Sequence, residues 1–223
     1  MKNFLLATVL VASVTALSAS PIIFFDNFSG APSGGVNDDT TTGSLIYTGS
    51  PYTLTAGSID VNQGSFYGWL CDSGSLDSGN CLDTTGSGAD GTIQATVTFP
   101  SAGQYMITVD LQGWDDTVNG GGPQSTTVMI TLNGGTLGSS LYSSSNFRSG
   151  TGGNDTYPLI TGVFSVAGPG TSLLTFQDTG VNQSAAFAGA ILDAAQISAV
   201  PEPATFVLAG AALLALAGLR KRS

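Results

Sequence analysis

The chain has 223 residues, of which 9% are charged, with fifteen acidic residues, five basic residues and no histidine. The lack of histidine excludes Ser-His-Asp and Cys-His catalysis and every metal site that needs an imidazole ligand. Four of the five basic residues lie near the two ends, so the middle of the chain, with one arginine and fourteen aspartates, has a net charge of about −13. Such a surface repels phosphate backbones, so we expect no nucleic-acid partner.

The N-terminus has the parts of a secretory signal peptide. Lys2 gives a positive start, Phe4–Leu17 is apolar, and the small residues Ser18–Ser20 follow. We predict that residues 1–20 are a signal peptide cleaved within that small segment, so that the protein is exported. An uncleaved N-terminal anchor is the alternative, although the apolar run is shorter than a membrane span requires.

Residues 21–199 are predicted to form one all-β domain, a β-sandwich or jelly roll. Three stretches alternate apolar and polar side chains as half-buried strands do: Thr92–Phe99, Tyr105–Leu111 and Thr126–Leu132. The turn Pro100–Gly103 predicts that the first two form a hairpin. Weaker patterns predict further strands at 22–28, 43–47, 58–61, 66–70, 157–166, 172–176 and 186–197.

The chain has only two cysteines, Cys71 and Cys81. An exported protein meets an oxidising compartment, so we expect the two to form a disulfide. On the chain-entropy estimate, this short closed loop would stabilise the fold by roughly 2.5–3 kcal/mol. A reactive thiol is the alternative.

A group of oxygen-bearing side chains lies in and beside the loop between the cysteines. Asp72, Asp77, Asn80 and Asp83 offer the hard oxygen ligands that calcium binds in irregular loops. Their spacing does not follow the EF-hand pattern, so solvated acidic turns are the alternative to a calcium site.

A second polar cluster follows the second strong strand. Trp114 with Asp115, Asp116 and Asn119 offers an aromatic face beside hydrogen-bonding side chains, which is the combination that sugar recognition uses, and Trp69 offers another platform. Packing of either tryptophan over the end of the sandwich is the alternative. The two aspartates are adjacent and would face opposite ways on a strand, so the cluster indicates no catalytic carboxylate pair, and we expect no enzyme.

The C-terminal residues 200–223 have three parts in a fixed order. These are the motif Pro201, Glu202 and Pro203, the uncharged apolar run Ala204–Leu219, and the basic cluster Arg220, Lys221 and Arg222. As a helix, the run would span roughly 24 Å, slightly less than the ~30 Å hydrocarbon core of a bilayer. Basic residues beside a span stay in the cytoplasm, so the rest of the chain would face outward. A buried core helix is the alternative to this membrane helix.

This tail closely resembles the PEP-CTERM sorting signal of exported bacterial proteins. The resemblance implies recognition by an exosortase, a membrane enzyme that removes the tail near Pro201–Pro203. It also implies an inner-membrane intermediate, followed by a location at the cell surface or in the extracellular matrix. The family is associated with Gram-negative bacteria that make exopolysaccharide and biofilm.

The middle of the chain also resembles, less specifically, the β-sandwich ectodomains of PEP-CTERM proteins, which look like carbohydrate-binding jelly rolls. The resemblance lies in Gln104–Leu111, Leu173–Phe176 and Gly189–Asp193. Together with the few charges and the Gly/Ser/Thr-rich loops, it favours a structural or adhesive role in the exopolysaccharide matrix. The alternatives are a lectin-like carbohydrate-binding module, with calcium as a candidate cofactor, and a glycan hydrolase.

Overall fold

The computed structural model describes residues 20–31, 42–63, 71, 80–86, 89–113, 115–116, 122–123, 125–149, 158–180 and 189–201. Within these ranges the chain forms strands joined by turns, with no helix. The strands are β1 (Ile22–Asp26), β2 (Tyr52–Ala56), β3 (Asp60–Gln63), β4 (Asn80–Asp83), β5 (Thr85–Gly86), β6 (Ala89–Asp90), β7 (Thr92–Phe99), β8 (Gly103–Gln112), β9 (Asp115–Asp116), β10 (Gly122–Pro123), β11 (Ser125–Asn133), β12 (Tyr142–Ser149), β13 (Ile160–Val166), β14 (Gly170–Asp178) and β15 (Ile191–Ala199).

Two antiparallel sheets pack on each other as a β-sandwich. Sheet A has the strand order β13-β8-β15-β4-β3, and β1 pairs with β15 as a sixth strand. Sheet B has the order β12-β11-β14-β7-β2. Two short ribbons, β5 with β6 and β9 with β10, stand apart from both sheets. The prediction of an all-β sandwich is therefore confirmed.

The core consists of the inward-facing apolar side chains of both sheets. Val109 on β8 and Ile130 on β11 are completely buried, as are their apolar neighbours two residues away on the same strands. Aromatic rings join the two layers, since Phe99 of sheet B meets Tyr105 of sheet A edge-on with ring centres 5.0 Å apart. The three strongly alternating stretches are strands, as predicted, because each has one face in this core.

The predicted hairpin between β7 and β8 is wrong. β7 pairs with β2 and β14 in sheet B, whereas β8 pairs with β13 and β15 in sheet A. The turn at 100–102 therefore carries the chain from one sheet to the other, and both apolar faces meet in the same core. Alternation shows which face of a strand is buried but does not show which sheet contains the strand.

The weaker strand predictions have mixed outcomes. Strands β1, β3, β13, β14 and β15 occur, with shifted ends, where 22–28, 58–61, 157–166, 172–176 and 186–197 were predicted. A strand at 43–47 is wrong, because this segment contains only an isolated bridge from Leu45 to Thr53. The stretch 66–70 lies outside the described residues. The sequence patterns missed β2, β4 and β12 and the two-residue strands β5, β6, β9 and β10.

The first and last strands are neighbours in sheet A. β1 runs antiparallel to β15, and the backbone N–H of Ala199 donates to the carbonyl of Pro21 at 3.0 Å. The N–H of Val200 donates to the carbonyl of Gln104 at 2.8 Å, and Pro201 is exposed directly after it. The predicted cleavage site of the signal peptide and the start of the tail therefore join the domain at the same end.

We predict that two glycines between β11 and β12 differ sharply in their tolerance of alanine. Gly135 and Gly138 have the same positive φ of +67°, but a Cβ on Gly135 would lie 2.3 Å from the carbonyl oxygen of Thr171, whereas Gly138 has open space. Gly138→Ala should cost about 1 kcal/mol of unfolding free energy for its left-handed backbone. Gly135→Ala should cost about 1–3 kcal/mol more. Equal midpoints of urea unfolding for the two variants would contradict this packing.

Candidate functional site

A row of polar side chains lies on the outer face of sheet A. The inward side of β8 is apolar, so its alternate residues Thr108, Asp110 and Gln112 face away from the core. A bulge in the pairing of β15 with β8 lies at Asp193, and Gln196, which is opposite Thr108, is a further outward-facing polar residue of β15. We call these five residues the polar face.

Asp193 is the most buried member of the polar face and connects its parts. The side-chain amide of Gln112 donates to the Oδ2 atom of Asp193, which is 0% exposed. A carboxylate oxygen of Asp193 and the sulfurs of Cys71 and Cys81 lie within 4.8 Å of one another. The two cysteines form the predicted disulfide, with the sulfurs 2.06 Å apart, so this group is not a metal site.

The residues predicted to contact carbohydrate lie mainly outside the described part of the chain. Trp69, Trp114 and Asn119 are among these residues, and Asp115 and Asp116 are described only as the backbone of β9, paired with β10. In the sequence, the first tryptophan precedes Cys71 by two residues and the second follows Gln112 by two. Their contact with sugar stays a prediction.

The candidate calcium ligands do not form a set in the described residues. Asp72 and Asp77 lie outside them. The amide of Asn80 donates to the carbonyl of Phe28 at 3.1 Å, on the side of β4 that also holds the core residue Leu82. Asp83 lies on the opposite side of the strand, because neighbouring strand residues alternate. The two described side chains therefore lie on opposite sides of β4, and the calcium site stays a prediction.

Asp83 is instead buried among backbone donors and other carboxylates. Its Oδ1 atom accepts hydrogen bonds from the N–H groups of Thr85 at 2.9 Å and Gly189 at 3.1 Å. Burial raises the pKa of Asp83 well above its usual range, and the carboxylates of Asp60 and Asp178 add to the rise, whereas the two backbone hydrogen bonds oppose it. Asp83 therefore keeps its proton to a higher pH in the folded protein than a solvent-exposed aspartate does.

Asp178 forms a connection between the two sheets that sequence reasoning missed. Its carboxylate accepts from five donors: the hydroxyls of Thr84 (2.7 Å), Thr85 (3.2 Å) and Thr126 (2.5 Å) and the N–H groups of Gly180 (2.9 Å) and Ala190 (3.4 Å). Thr126 and Gly180 belong to or adjoin sheet B strands, and the other donors adjoin β4 and β15 of sheet A. We call Asp178 and these three threonines the Asp178 clamp.

The clamp is structural rather than ligand-binding. A carboxylate has about four lone-pair sites, and the five donors leave no oxygen of Asp178 open to a metal or a substrate. The sequence offers one indication of this site, which is an aspartate, Asp178, followed two residues later by a glycine, Gly180. In the structure Gly180 has φ +58° and its N–H donates to the Asp178 carboxylate. That pattern predicts a local turn, but it does not identify Thr84, which lies 94 residues away in the sequence.

A second buried carboxylate lies at the end of β1. The hydroxyl of Tyr47 donates to both oxygens of Asp26, at 3.0 and 3.1 Å, and the N–H of Phe28 donates at 3.1 Å. Burial raises the pKa of Asp26, while these hydrogen bonds hold the rise down. Asp26 and Asp83 therefore shift the pH dependence of stability in the same direction.

We predict that the domain is more stable at pH 5 than at pH 8. An aspartate in the unfolded chain ionises near pH 4, whereas Asp83 keeps its proton in the fold to a higher pH, so the unfolding free energy falls as pH rises through that interval. Each unit of pKa difference is worth about 1.4 kcal/mol. Urea unfolding at several pH values should show this fall, and Asp83→Asn should flatten it.

The exposed Asp90 provides the control for this pH experiment. Asp90→Asn removes one negative charge without removing a buried carboxyl, so its pH profile should follow that of the unchanged protein. Identical profiles for Asp83→Asn and the unchanged protein would contradict the assignment.

The described part of the chain includes only the beginning of the sorting tail. Pro201 is its last described residue, and Glu202, Pro203, Ala204–Leu219 and the basic cluster 220–222 lie beyond it. Among the described residues, no helix is long and apolar enough to cross a membrane.

Solved structures with some likeness to this chain include carbohydrate-binding modules. The CBM22-1 xylan-binding domain of Paenibacillus barcinonensis Xyn10C is 16% identical, with a TM-score of 0.46, 84% of this chain covered and 100% of that one. The module CBM6cm-2 of Cellvibrio mixtus lichenase 5A, solved with cellotriose, is 16% identical, with a TM-score of 0.34 and coverages of 81% and 100%. These TM-scores are too low to carry a conclusion about ligand or activity.

A third structure is far longer than this chain. The isomalto-dextranase of Arthrobacter globiformis T6, complexed with panose, is 18% identical with a TM-score of 0.40, and the likeness covers 65% of this chain but only 21% of that one. Comparison with curated proteins gives no match.

The family comparison bears on the tail. Residues 199–222 match the PEP-CTERM protein-sorting motif, within one residue at each end of the tail predicted from the sequence. The chain therefore carries a PEP-CTERM protein-sorting motif, which indicates an exported protein.

Proposed function

We propose that the protein is an exosortase substrate that acts at the cell surface or in the extracellular matrix of a Gram-negative bacterium. In this proposal, residues 1–20 are removed on export and residues 204–219 anchor the chain in the inner membrane until cleavage near Pro201. The matched motif and the exposure of Pro201 directly after β15 support it. The product is the ectodomain 21–199 with a short remnant of the tail.

The ectodomain in this proposal has an adhesive role, binding exopolysaccharide at the polar face. The observation that carries the proposal is the hydrogen bond from the half-buried Gln112 to the buried carboxylate of Asp193, which holds the Gln112 side chain in place beside the disulfide. Sugar hydroxyls are bound by such directional groups together with an aromatic platform. The predicted platforms, Trp69 and Trp114, adjoin Cys71 and Gln112 in the sequence.

The charge of the domain restricts the class of polysaccharide. Fourteen aspartates and one arginine between the termini repel uronic acids, sulfates and phosphates. The ligand class is therefore a neutral polysaccharide, bound through hydroxyl groups.

The described carboxylates favour binding over hydrolysis. A glycosidase needs two carboxyl groups that reach the same sugar, separated by about 5–10 Å. Asp83, Asp178 and Asp193 are at most 3% exposed, and Asp178 already accepts five hydrogen bonds. Asp83 and Asp178 are accordingly assigned to the fold, Asp193 positions the Gln112 side chain, and none of the three is proposed as a catalytic carboxyl group.

Intact-mass measurement tests the sorting step. The protein recovered from cells that contain an exosortase should end near Pro201, whereas cells without the enzyme should yield the whole tail. Glu202→Ala, which changes the motif but not the apolar run, should reduce the processed fraction. A full-length tail in both kinds of cell would contradict exosortase processing and would leave the run as a plain anchor.

Fluorescence titration tests the sugar-binding step. The chain has only two tryptophans, and both are predicted platforms, so a neutral polysaccharide should change the intrinsic tryptophan emission on binding. Gln112→Ala should weaken binding about tenfold or more, because it removes an amide that hydrogen-bonds within the site. Repeating the titration with calcium and with EGTA tests the predicted calcium dependence.

Gln94 provides the matched control for Gln112. Its amide donates to the hydroxyl of Thr175 at 3.1 Å on sheet B, away from the polar face. Gln94→Ala should therefore leave the affinity unchanged. Equal losses in the two variants would contradict binding at the polar face, and no response to any neutral polysaccharide would favour matrix association without a specific ligand.

A further inference from the structure

The charged residues in the described part of the domain are confined to one end of the sandwich. Strand pairing puts Asp26, Ala195 and Val109 in one row across sheet A. The described charged residues all lie at this row or on the side of it that contains the Asp178 clamp: Asp26, Asp60, Asp83, Asp90, Asp110, Asp115, Asp116, Arg148, Asp178 and Asp193. The opposite end has none among the described residues.

We call that opposite end the uncharged end and define it by three connections between strands. These are residues 100–102, 134–141 and 167–169, which join β7 to β8, β11 to β12, and β13 to β14. Along β8, the distance from Gly103 to Val109 is about 20 Å at roughly 3.4 Å per residue. The band without charge is therefore about 20 Å deep.

Apolar side chains are exposed beside the uncharged end. Val163 of β13 is 60% exposed and Ile22 of β1 is 57% exposed. Strand register puts both in one row across sheet A, with Met106 and Ser198 between them. This row of four residues lies close to the uncharged end. Its last member, Ile22, is on β1, the first strand of the domain.

The chain enters and leaves the domain at the uncharged end. The predicted signal segment Phe4–Leu17 precedes Pro21, and the apolar run Ala204–Leu219 follows Val200, while Ala199 and Pro21 are hydrogen-bonded to each other. Only the three residues of the motif separate the hydrogen-bonded Val200 from the apolar run. At about 3.5 Å per residue they span roughly 10–14 Å, so an inserted run holds this end within that distance of the bilayer.

Charge determines which end can approach a membrane containing anionic lipids. A carboxylate near such a surface is repelled over about one Debye length, ~8–10 Å at moderate ionic strength. The uncharged band is about twice as deep as this distance. The domain can therefore approach the lipid headgroups at the uncharged end without bringing its described aspartates into the repulsive zone.

We propose that the uncharged end is a membrane-docking surface that lies on the phospholipid headgroups while the tail is inserted. Docking holds Pro201 at the bilayer surface, where a membrane-embedded enzyme can reach it. The inference rests on the proposed insertion of the tail, and its occupant is the lipid surface rather than a second copy of the chain.

Fluorescence quenching on vesicles tests this docking. The full chain, with Cys71 and Cys81 in their disulfide and no free cysteine, can be labelled at one introduced cysteine. Ala167→Cys puts the label at the uncharged end, and Ala89→Cys puts it on an equally exposed alanine at the other end. On vesicles of phosphatidylcholine and phosphatidylglycerol, a headgroup-attached spin label should quench the label on residue 167 and not the label on residue 89.

Added charge gives the second part of the test. Ala102→Asp together with Ser139→Asp puts two carboxylates on exposed turns of the uncharged end. On the anionic vesicles these changes should remove the quenching at residue 167. On vesicles of pure phosphatidylcholine, which carry no net negative charge, the same variant should keep more of its quenching.

The contrary outcomes are distinct. Equal quenching of both labels would overturn the docking while leaving tail insertion intact. If the loss of fluorescence depended on the amount of protein per vesicle and not on the amount of spin-labelled lipid, the uncharged end would contact a second copy of the chain. This outcome would overturn the proposal. A chain that leaves the vesicles on alkaline extraction would overturn the insertion of the tail and the docking with it, whereas exosortase processing is judged separately by intact mass.

Discussion

The structure depends on a buried carboxylate at the point where several strands of both sheets begin or end. Asp178 closes β14 and accepts hydrogen bonds from hydroxyls that adjoin β4 and β11. The hydroxyl of Thr84 also accepts from the N–H of Ala190, so the start of β15 is tied to the same group. Hydrophobic packing alone holds two sheets together without fixing their relative position. Directional hydrogen bonds to the one buried carboxyl group of Asp178 supply that constraint.

The clamp also explains how so acidic a domain can be divided into two unlike ends. Asp60 and Asp83 are directly paired across β3 and β4, close to Asp178, which is an unfavourable arrangement for three charges. Burial and this proximity favour protonation of Asp83, and donors surround Asp178. With the described carboxylates gathered there, the turns at the other end are built from uncharged residues: glycine, serine, threonine, proline, alanine and leucine.

The features of the fold that could be predicted from the sequence are those that depend on neighbouring residues. Thr92–Phe99 and Thr126–Leu132 alternate because one face of each is in the core, and the disulfide followed from having only two cysteines. The pairing of the strands could not be predicted. The strands that contain Phe99 and Tyr105 show the same alternation of apolar and polar residues, although they belong to opposite sheets. The patterns missed β12, at Tyr142–Ser149, because it is an edge strand in which no residue is buried and all but Tyr142 and Phe147 are polar.

The position of β15 connects folding with sorting. This strand, the last of the domain, lies in the interior of sheet A with β8 on one side and β1 and β4 on the other. Sheet A therefore cannot be completed until the residues up to Ala199 have crossed the membrane, and the sorting motif begins two residues later. In an unfolded chain, Pro201 would have no fixed distance from the rest of the molecule. Once β15 is in place, its hydrogen bonds hold the chain as far as Val200, so Pro201, the first residue of the motif, has a fixed position on the folded domain.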